Sequence, residues 1–158
     1  MNAANLRPLL LGEPRWTLAA AESLTCGRVQ ARIGAVPGAS EYFLGGVTAY
    51  SLEQKVKLLG VDRAAAAKVN CVSAEIAEQM ARGACELFGA EVGAATTGYA
   101  EPNAAQKVAV PFAWWALARR EGKRFVVRSG RVDFPGATRI EAQERVAEAV
   151  IAALVIFL

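Results

Sequence analysis

The chain has 158 residues, of which 54% are hydrophobic, so it can fill the core of one domain over residues 1–158 without structural metals or disulfides. It contains no histidine, which excludes Ser-His and Cys-His catalytic pairs and zinc sites built on imidazole. The formal charge is only +3 and the basic residues are scattered among acidic ones, which argues against nucleic acid as a partner.

Cysteine content and hydropathy predict the cellular location of the chain. The three cysteines are Cys26, Cys71 and Cys85; they form no CxxC pair, which favours reduced thiols in the cytoplasm. No apolar stretch is long enough to cross a bilayer, and the first twenty residues do not resemble a secretory signal, so we expect no membrane partner. The apolar end at residues 155–158 predicts either a buried terminus or a contact in a homo-oligomer.

The first predicted unit is a strand, a tight turn and a helix. Small and β-branched residues make up the predicted strand at 16–21, the turn follows at 22–27, and Val29, Ile33 and Val36 then recur at helical spacing. Ser23 or Thr25 is predicted to lie at or near the N-cap of this helix, where a hydroxyl accepts a backbone N–H.

Two further helices follow a second strand. Residues 45–50 predict the strand, and residues 52–59 predict a short helix that ends at Gly60. Ser73 is predicted to cap a long amphipathic helix that runs through Phe88 and stops at Gly89.

The last third of the chain predicts strands and one more helix. A buried strand of small residues at 92–97 ends in Gly98 and opens into a polar loop at 99–107. Aromatic and β-branched residues at 111–118 and 124–132 predict a hairpin, and helical spacing resumes from Thr138. Strands that alternate with helices, followed by one hairpin, predict an α/β fold: a single three-layer α/β/α domain with a mixed sheet.

Three segments occur in the order found in one known family. The stretch Ala-Glu-Ser-Leu-Thr-Cys-Gly at 21–27 is followed by Pro-Gly-Ala-Ser-Glu-Tyr-Phe at 37–43, and then by Gly-Val-Thr-Ala-Tyr-Ser at 46–51 with Lys55. Val72-Ser73 and the stretch Thr-Gly-Tyr-Ala-Glu-Pro at 97–102 continue the likeness. Together these segments resemble the CinA carboxy-terminal domain family, whose first signature is Ala-Glu-Ser-Cys-Thr-Gly-Gly.

The resemblance implies a serine amidohydrolase that converts nicotinamide mononucleotide to nicotinate mononucleotide and ammonia, with a serine and a lysine in place of a triad. By motif position these residues are Ser23 and Lys55, with Tyr50 close by. A small-molecule nucleotide is then the partner, and neither a cofactor nor a metal is expected. The substrate side is assigned to Glu22, Thr25, Gly27, Gly46, Thr97 and Gly98, with Glu22 in support of Ser23.

This chemistry is plausible for these residue types. A serine needs a neighbour to take its proton, and a lysine can do so where desolvation lowers its pKa. A helix start at Ser23 would add backbone N–H groups for an oxyanion or a phosphate. Taken alone, however, Ser23 is an ordinary helix cap and Lys55 an ordinary surface lysine, and Lys57 fits as well; only the Tyr-Ser-x-x-x-Lys spacing selects Lys55. Cys26 in the first helical turn is a less favoured reactive residue.

One loop departs from the family pattern. Glu101 replaces a glycine, and the family's Lys-Pro-x-Gly-Thr segment corresponds to residues 110–114, where Trp114 replaces the threonine. The negative charge of Glu101 and the bulk of Trp114 are expected to disfavour phosphate, with Lys107 as a nearby substitute cation. The alternative function is therefore a catalytically silent paralogue that binds a nucleotide or a protein partner.

Overall fold

A computed structural model of the protein describes residues 3–158, and its centre is a five-stranded mixed sheet. The strands are β1 (Leu18–Glu22), β2 (Phe43–Thr48), β3 (Val92–Tyr99), β4 (Phe112–Glu121) and β5 (Arg124–Asp133). Their order across the sheet is β2-β1-β3-β4-β5. The first three in this order are parallel, and β3, β4 and β5 are antiparallel. The hairpin predicted in the last third of the chain is therefore confirmed as the edge of a mixed sheet.

Helices cover both faces of the sheet. They are α1 (Leu6–Leu10), α2 (Arg28–Gly34), α3 (Leu52–Leu59), α4 (Arg63–Lys68), α5 (Ala74–Phe88) and α6 (Arg139–Phe157). The first, second and sixth bury their apolar residues in one core, and the third, fourth and fifth bury theirs in a second core on the opposite face. This arrangement confirms the predicted three-layer α/β/α fold with a mixed sheet.

Local capping explains why the predicted helix ends are found where they were expected. The side chain of Ser51 accepts from the N–H of Gln54 at the start of α3, and the side chain of Ser73 accepts from the N–H of Ile76 at the start of α5. Gly60 and Gly89 end these two helices in the left-handed conformation, which glycine adopts without strain. Thr138 caps α6 through a complete capping box.

The start of α2 differs from the prediction. Its N-cap is Gly27, with φ of +94°, and neither Ser23 nor Thr25 caps the helix. The chain makes extra turns over residues 23–27 because the N–H groups of Cys26 and Arg28 bond to the carbonyl oxygens of Ser23 and Thr25. The hydroxyl of Ser23 is therefore not used to satisfy the helix start.

Other differences are smaller. The second strand begins at Phe43, two residues before the predicted start, and α1 and α4 were not predicted. Val155, Phe157 and Leu158 pack against the core that α6 helps to form, while Ile156 is exposed. Within residues 3–158, no helix is both long and apolar enough to cross a membrane.

The site is positioned by the parallel half of the sheet. The small residues of β3 let α5 approach closely, since a Cβ at Gly93 would lie 2.1 Å from the carbonyl oxygen of Ala81. The carboxyl ends of β1, β2 and β3 meet at one edge, where the segments that follow them form a cleft.

Candidate active site

A cavity of about 470 Å³ lies at the carboxyl ends of the parallel strands. Its walls come from the turn after β1, the segment between β2 and α3, the residues just before α5, the loop after β3 and the start of α6. The lining residues are Ser23, Leu24, Tyr50, Ser51, Leu52, Lys55, Asn70, Cys71, Val72, Thr97, Gly98, Tyr99, Ala100, Glu101, Pro102, Asn103 and Arg139.

Ser23 and Lys55 meet in this cavity. The amine nitrogen of Lys55 lies 2.9 Å from the hydroxyl oxygen of Ser23, which is hydrogen-bond distance. Ser23 is placed by the end of β1, and Lys55 by the first turns of α3. Only 1% of Lys55 and 7% of Ser23 is exposed. The two side chains that the sequence motif singled out, 32 residues apart, are therefore in direct contact.

Burial shifts Lys55 towards its neutral form. Burial lowers the pKa of Lys55, and attraction to the neighbouring Cys71 opposes this shift only in part. The amine also lies 2.9 Å from each of two backbone carbonyl oxygens, those of Ala49 and Tyr50. A neutral amine has two N–H donors and one lone pair. In the charged form the third N–H donates to the Ser23 hydroxyl oxygen. In the neutral form, with both donors held by carbonyls, the lone pair faces the Ser23 hydroxyl, as a general base requires.

Tyr50 contributes to the site through its backbone rather than through its ring. Its carbonyl oxygen holds Lys55, whereas its hydroxyl accepts a 2.8 Å hydrogen bond from the guanidinium of Arg139. The same guanidinium donates to the carboxylate of Glu101 at 2.9 Å. The Tyr50 hydroxyl therefore belongs to a polar rim made with Arg139 and Glu101, and it has no hydrogen bond to Ser23 or Lys55.

Glu22 is buried and holds the turn between β1 and α2 by hydrogen bonds. It is 1% exposed, and its carboxylate accepts the N–H groups of Gly27 at 2.9 Å, Val29 at 3.1 Å and Gln30 at 2.9 Å. A carboxylate at a helix N-terminus is favoured by the helix dipole and by these unpaired N–H groups. The N–H groups at the start of α2, which were predicted to serve an oxyanion or a phosphate, are therefore already occupied by Glu22.

Four residues predicted for the substrate side do not line the cavity: Glu22, Thr25, Gly27 and Gly46. Thr25 is fully buried, and its hydroxyl shares a 2.8 Å hydrogen bond with that of Thr96. Gly46 is covered by Gln30, whose Cδ would lie 2.4 Å from a Cβ at that position. We therefore assign Glu22, Gly27, Gly46 and the side chain of Thr25 to support of the turn and the sheet.

The other two predicted substrate-side residues do line the cavity. Thr97 and Gly98 end β3 there, and the Thr97 hydroxyl donates a 2.7 Å hydrogen bond to the carbonyl oxygen of Cys71. Gly98 has no room for a side chain, because a Cβ would lie 2.6 Å from the Cα of Ala113 in β4.

The loop after β3 does not obstruct the cavity as the sequence predicted. Trp114 packs against the core on the α5 side of the sheet and does not line the cavity, so its bulk does not block a ligand there. Lys107 is exposed and does not line the cavity either. Glu101 does line it, and its charge is paired with Arg139.

Sequence reasoning missed Asn70, Cys71 and Arg139. Asn70 and Cys71 both have positive φ, of 48° and 63°, and the Asn70 side chain donates to the Tyr99 hydroxyl at 3.0 Å. An asparagine just before a predicted helix cap was a usable signal for such a turn. Arg139 had no local signal beyond its place at the start of the helical spacing predicted from Thr138. Cys26 is exposed outside the cavity, with its thiol 3.4 Å from the Ser23 carbonyl oxygen. Among residues 3–158, no group of three or more His, Cys, Asp or Glu side chains is arranged to hold a metal ion.

Comparisons with known proteins agree over most of the chain. A family model described as the CinA C-terminal domain matches residues 4–158. A "CinA-like protein" from Chlorobium limicola is 35% identical over 144 residues, which cover 90% of this chain and 33% of that protein. This chain thus spans about a third of the length of that curated relative.

Solved structures share the fold. The competence damage-inducible protein A from Klebsiella pneumoniae superposes with a TM-score of 0.85 at 24% identity, with 99% of this chain and 96% of that chain covered. A CinA superfamily protein from Klebsiella pneumoniae 700603 superposes with a TM-score of 0.83 at 26% identity, with 98% and 92% covered.

Proposed function

Because the chain belongs to the CinA C-terminal domain family, we propose that it is a serine amidohydrolase that acts on nicotinamide mononucleotide. Ser23 is the nucleophile and Lys55 is its base. The observation that carries the proposal is the contact between the buried Lys55 amine and the Ser23 hydroxyl at 2.9 Å, with both remaining N–H groups of a neutral amine bound by carbonyls. A chain without histidine offers no imidazole base, and Lys55 is the only lysine among the described residues that line the cavity.

In the proposed reaction, Lys55 takes the hydroxyl proton while the Ser23 oxygen bonds to the amide carbon. The carbonyl electron pair moves onto the carbonyl oxygen, and when it returns the C–N bond breaks. The proton on Lys55 passes to the departing nitrogen, which leaves as ammonia. Water then attacks the acyl-serine ester with Lys55 again as base, which releases nicotinate mononucleotide and regenerates Ser23.

The charges of the cavity support an anionic substrate only in part. Its lining contains two basic residues, Lys55 and Arg139, and one acidic residue, Glu101. Because Lys55 faces Ser23, Arg139 is the cation left for the phosphate of a mononucleotide. Arg139 already binds Glu101, so a phosphate must share it with a carboxylate or displace that carboxylate.

The same pairing favours a second candidate function, a catalytically silent paralogue that binds a nucleotide or a protein partner. If Glu101 keeps Arg139 occupied, the phosphate of the substrate is held weakly and turnover is slow. Ser23 and Lys55 would then persist as part of the fold.

Ammonia release from nicotinamide mononucleotide tests the proposal. We expect turnover by the purified protein, and we expect Ser23→Ala and Lys55→Met each to abolish most of it, since both belong to one catalytic unit. Lys57→Met is the matched control, because Lys57 is an exposed lysine on the same helix and should leave turnover unchanged.

Turnover that survives either catalytic substitution would refute the Ser-Lys assignment. No turnover by the wild-type protein, together with binding of the nucleotide in a calorimetric titration, would establish the silent nucleotide-binding protein instead.

A further inference from the structure

Amide hydrolysis at Ser23 needs donors for the negative charge that develops on the substrate oxygen, and this inference rests on the proposed function. Most N–H groups near Ser23 are already used. Glu22 binds the N–H groups of Gly27, Val29 and Gln30. The N–H of Ser23 itself bonds to the carbonyl oxygen of Thr96 at 3.1 Å. Neither the helix start nor the nucleophile's own N–H is therefore available.

Two consecutive backbone donors remain. The N–H groups of Leu24 and Thr25 have no acceptor within residues 3–158. Leu24 lines the cavity although the residue is only 2% exposed. Unpaired buried N–H groups are rare and costly, so a pair of them directly after a nucleophile is consistent with a bound oxygen in the working state.

Hydrogen bonds to the two neighbouring carbonyls hold these donors in place. The Ser23 carbonyl oxygen accepts from the N–H of Cys26 at 3.2 Å. The Leu24 carbonyl oxygen accepts from the side-chain amide of Gln143 in α6 at 2.7 Å. A peptide unit is planar, with its C=O and N–H pointing in opposite directions, so fixing a carbonyl also fixes the N–H of the next residue.

Gln143 is the long-range part of this support. It is 5% exposed and lies 119 residues from Leu24, on a helix otherwise tied to the site by the bonds of Arg139 and by the ion pair of Glu144 with Arg28. The amide of this buried side chain bonds to the backbone next to the nucleophile and so fixes the orientation of the Leu24–Thr25 peptide.

We propose that the backbone N–H groups of Leu24 and Thr25 form the oxyanion-binding site, and that Gln143 is the positioning residue that fixes it through the Leu24 carbonyl. The substrate's carbonyl oxygen receives the two N–H groups as Ser23 adds to the carbon. These bonds strengthen only as the charge develops, so they lower the barrier without tightening the substrate complex.

Gln143→Met tests the positioning role, because methionine keeps the length of the side chain and removes the donor. We expect kcat for nicotinamide mononucleotide to fall by about tenfold or more, KM to change by less than about twofold, and the pH dependence of kcat to keep its midpoint, since Lys55 is not touched. Val150→Ala is the control for lost stability, as it removes buried carbon atoms from the same helix, and Glu148→Gln is the control for an exposed α6 ion pair. Both should keep wild-type kcat below their unfolding temperatures.

A second measurement works without substrate turnover. A fluorophosphonate probe labels an active serine by forming an oxygen–phosphorus bond while fluoride leaves, the serine proton passes to the base, and the phosphoryl oxygen occupies the oxyanion site. We expect Gln143→Met to slow labelling of Ser23 by about tenfold.

The outcomes separate the two proposals. Wild-type kcat and labelling rate in Gln143→Met, or an equal loss in Val150→Ala, would overturn the positioning role and leave the Ser-Lys proposal standing. If the wild-type protein does not hydrolyse the nucleotide, the proposed substrate fails, and the labelling rates alone decide on Gln143. Absence of any labelling at Ser23 in the wild-type protein would overturn both.

Discussion

Replacing Glu22 by glutamine keeps the size of the side chain and removes the charge that three backbone N–H groups share. One carboxylate oxygen accepts from Gly27 and Val29, and the other accepts from Gln30. Glutamine has one acceptor oxygen, so at best it serves the first two donors and turns its own NH₂ group toward the third. Glu22→Gln therefore leaves at least one buried N–H unpaired and weakens the bonds that remain.

The expected cost follows from these three contacts. A buried donor without a partner costs about 1–3 kcal/mol, and loss of charge from the other two bonds adds to it. The helix dipole contributes about 0.3–1 kcal/mol for an anion at this end. We expect the free energy of unfolding to fall by about 3 kcal/mol, which for a domain of this size lowers Tm by about 6–12 °C.

Urea unfolding followed by circular dichroism measures this change, with Glu53→Gln as the matched control. Glu53 is an exposed carboxylate paired with Arg63, and exposed ion pairs contribute little, so its variant should unfold like the wild-type protein. An unchanged unfolding midpoint for Glu22→Gln would show that Glu22 does not hold the start of α2. In a folded variant we also expect reduced kcat, because the turn that carries Ser23 is no longer anchored.

Two further predictions concern Lys55 and the cysteines. Because burial lowers the pKa of Lys55 below its ordinary value of 10.5, turnover should rise with pH through that lowered pKa and level off above it. Between the folded and unfolded pKa values of Lys55 the unfolded chain binds more protons, so the free energy of unfolding should also rise with pH. Lys55→Met should lack that contribution. A free energy of unfolding that has the same pH dependence in both proteins would refute the shift. Burial raises the pKa of the Cys85 thiol to about 12, so a chromogenic disulfide reagent should modify exposed Cys26 in the folded protein and Cys85 only after unfolding. Cys26→Ala should remove the fast reaction and keep turnover; loss of turnover would instead indicate thiol chemistry.

The parts of the fold that depend on local chemistry were predictable. Ser73 and Gly89 bound α5 at the predicted residues because a serine cap and a left-handed glycine act on their immediate neighbours. The start of α2 was predicted wrongly, because it is held by the carboxylate of Glu22, which lies at the end of β1 and binds three N–H groups further along the chain. A serine in such a turn has the same local signal whether it caps a helix or faces a cavity.

The candidate site likewise has residues that the sequence could predict and residues that it could not. The motif spacing predicted that Ser23 and Lys55 lie together, and they are in contact because the end of β1 and the start of α3 meet at the sheet edge. Arg139 and Gln143 could not be predicted, because a hydroxyl and a carbonyl that they bind lie 89 and 119 residues away along the chain and meet α6 only in the tertiary fold.

At the rim of the cavity, Arg139 is expected to bind the phosphate of the proposed substrate. Glu101 and Arg139 are 64% and 42% exposed at their side chains, so their pair is well solvated and worth about 0–1 kcal/mol. Glu101→Gln frees Arg139 and removes a negative charge that repels the phosphate. We therefore expect kcat/KM for nicotinamide mononucleotide to rise by up to about fivefold relative to kcat/KM for nicotinamide riboside, which lacks the phosphate. The gain should shrink in high salt, because both charges are exposed. Glu121→Gln, which removes an exposed carboxylate that does not line the cavity, is the control and should leave the ratio unchanged. A ratio that stays constant or falls in Glu101→Gln would mean that the phosphate does not meet Arg139, and that the anionic end of the substrate lies elsewhere in the cleft.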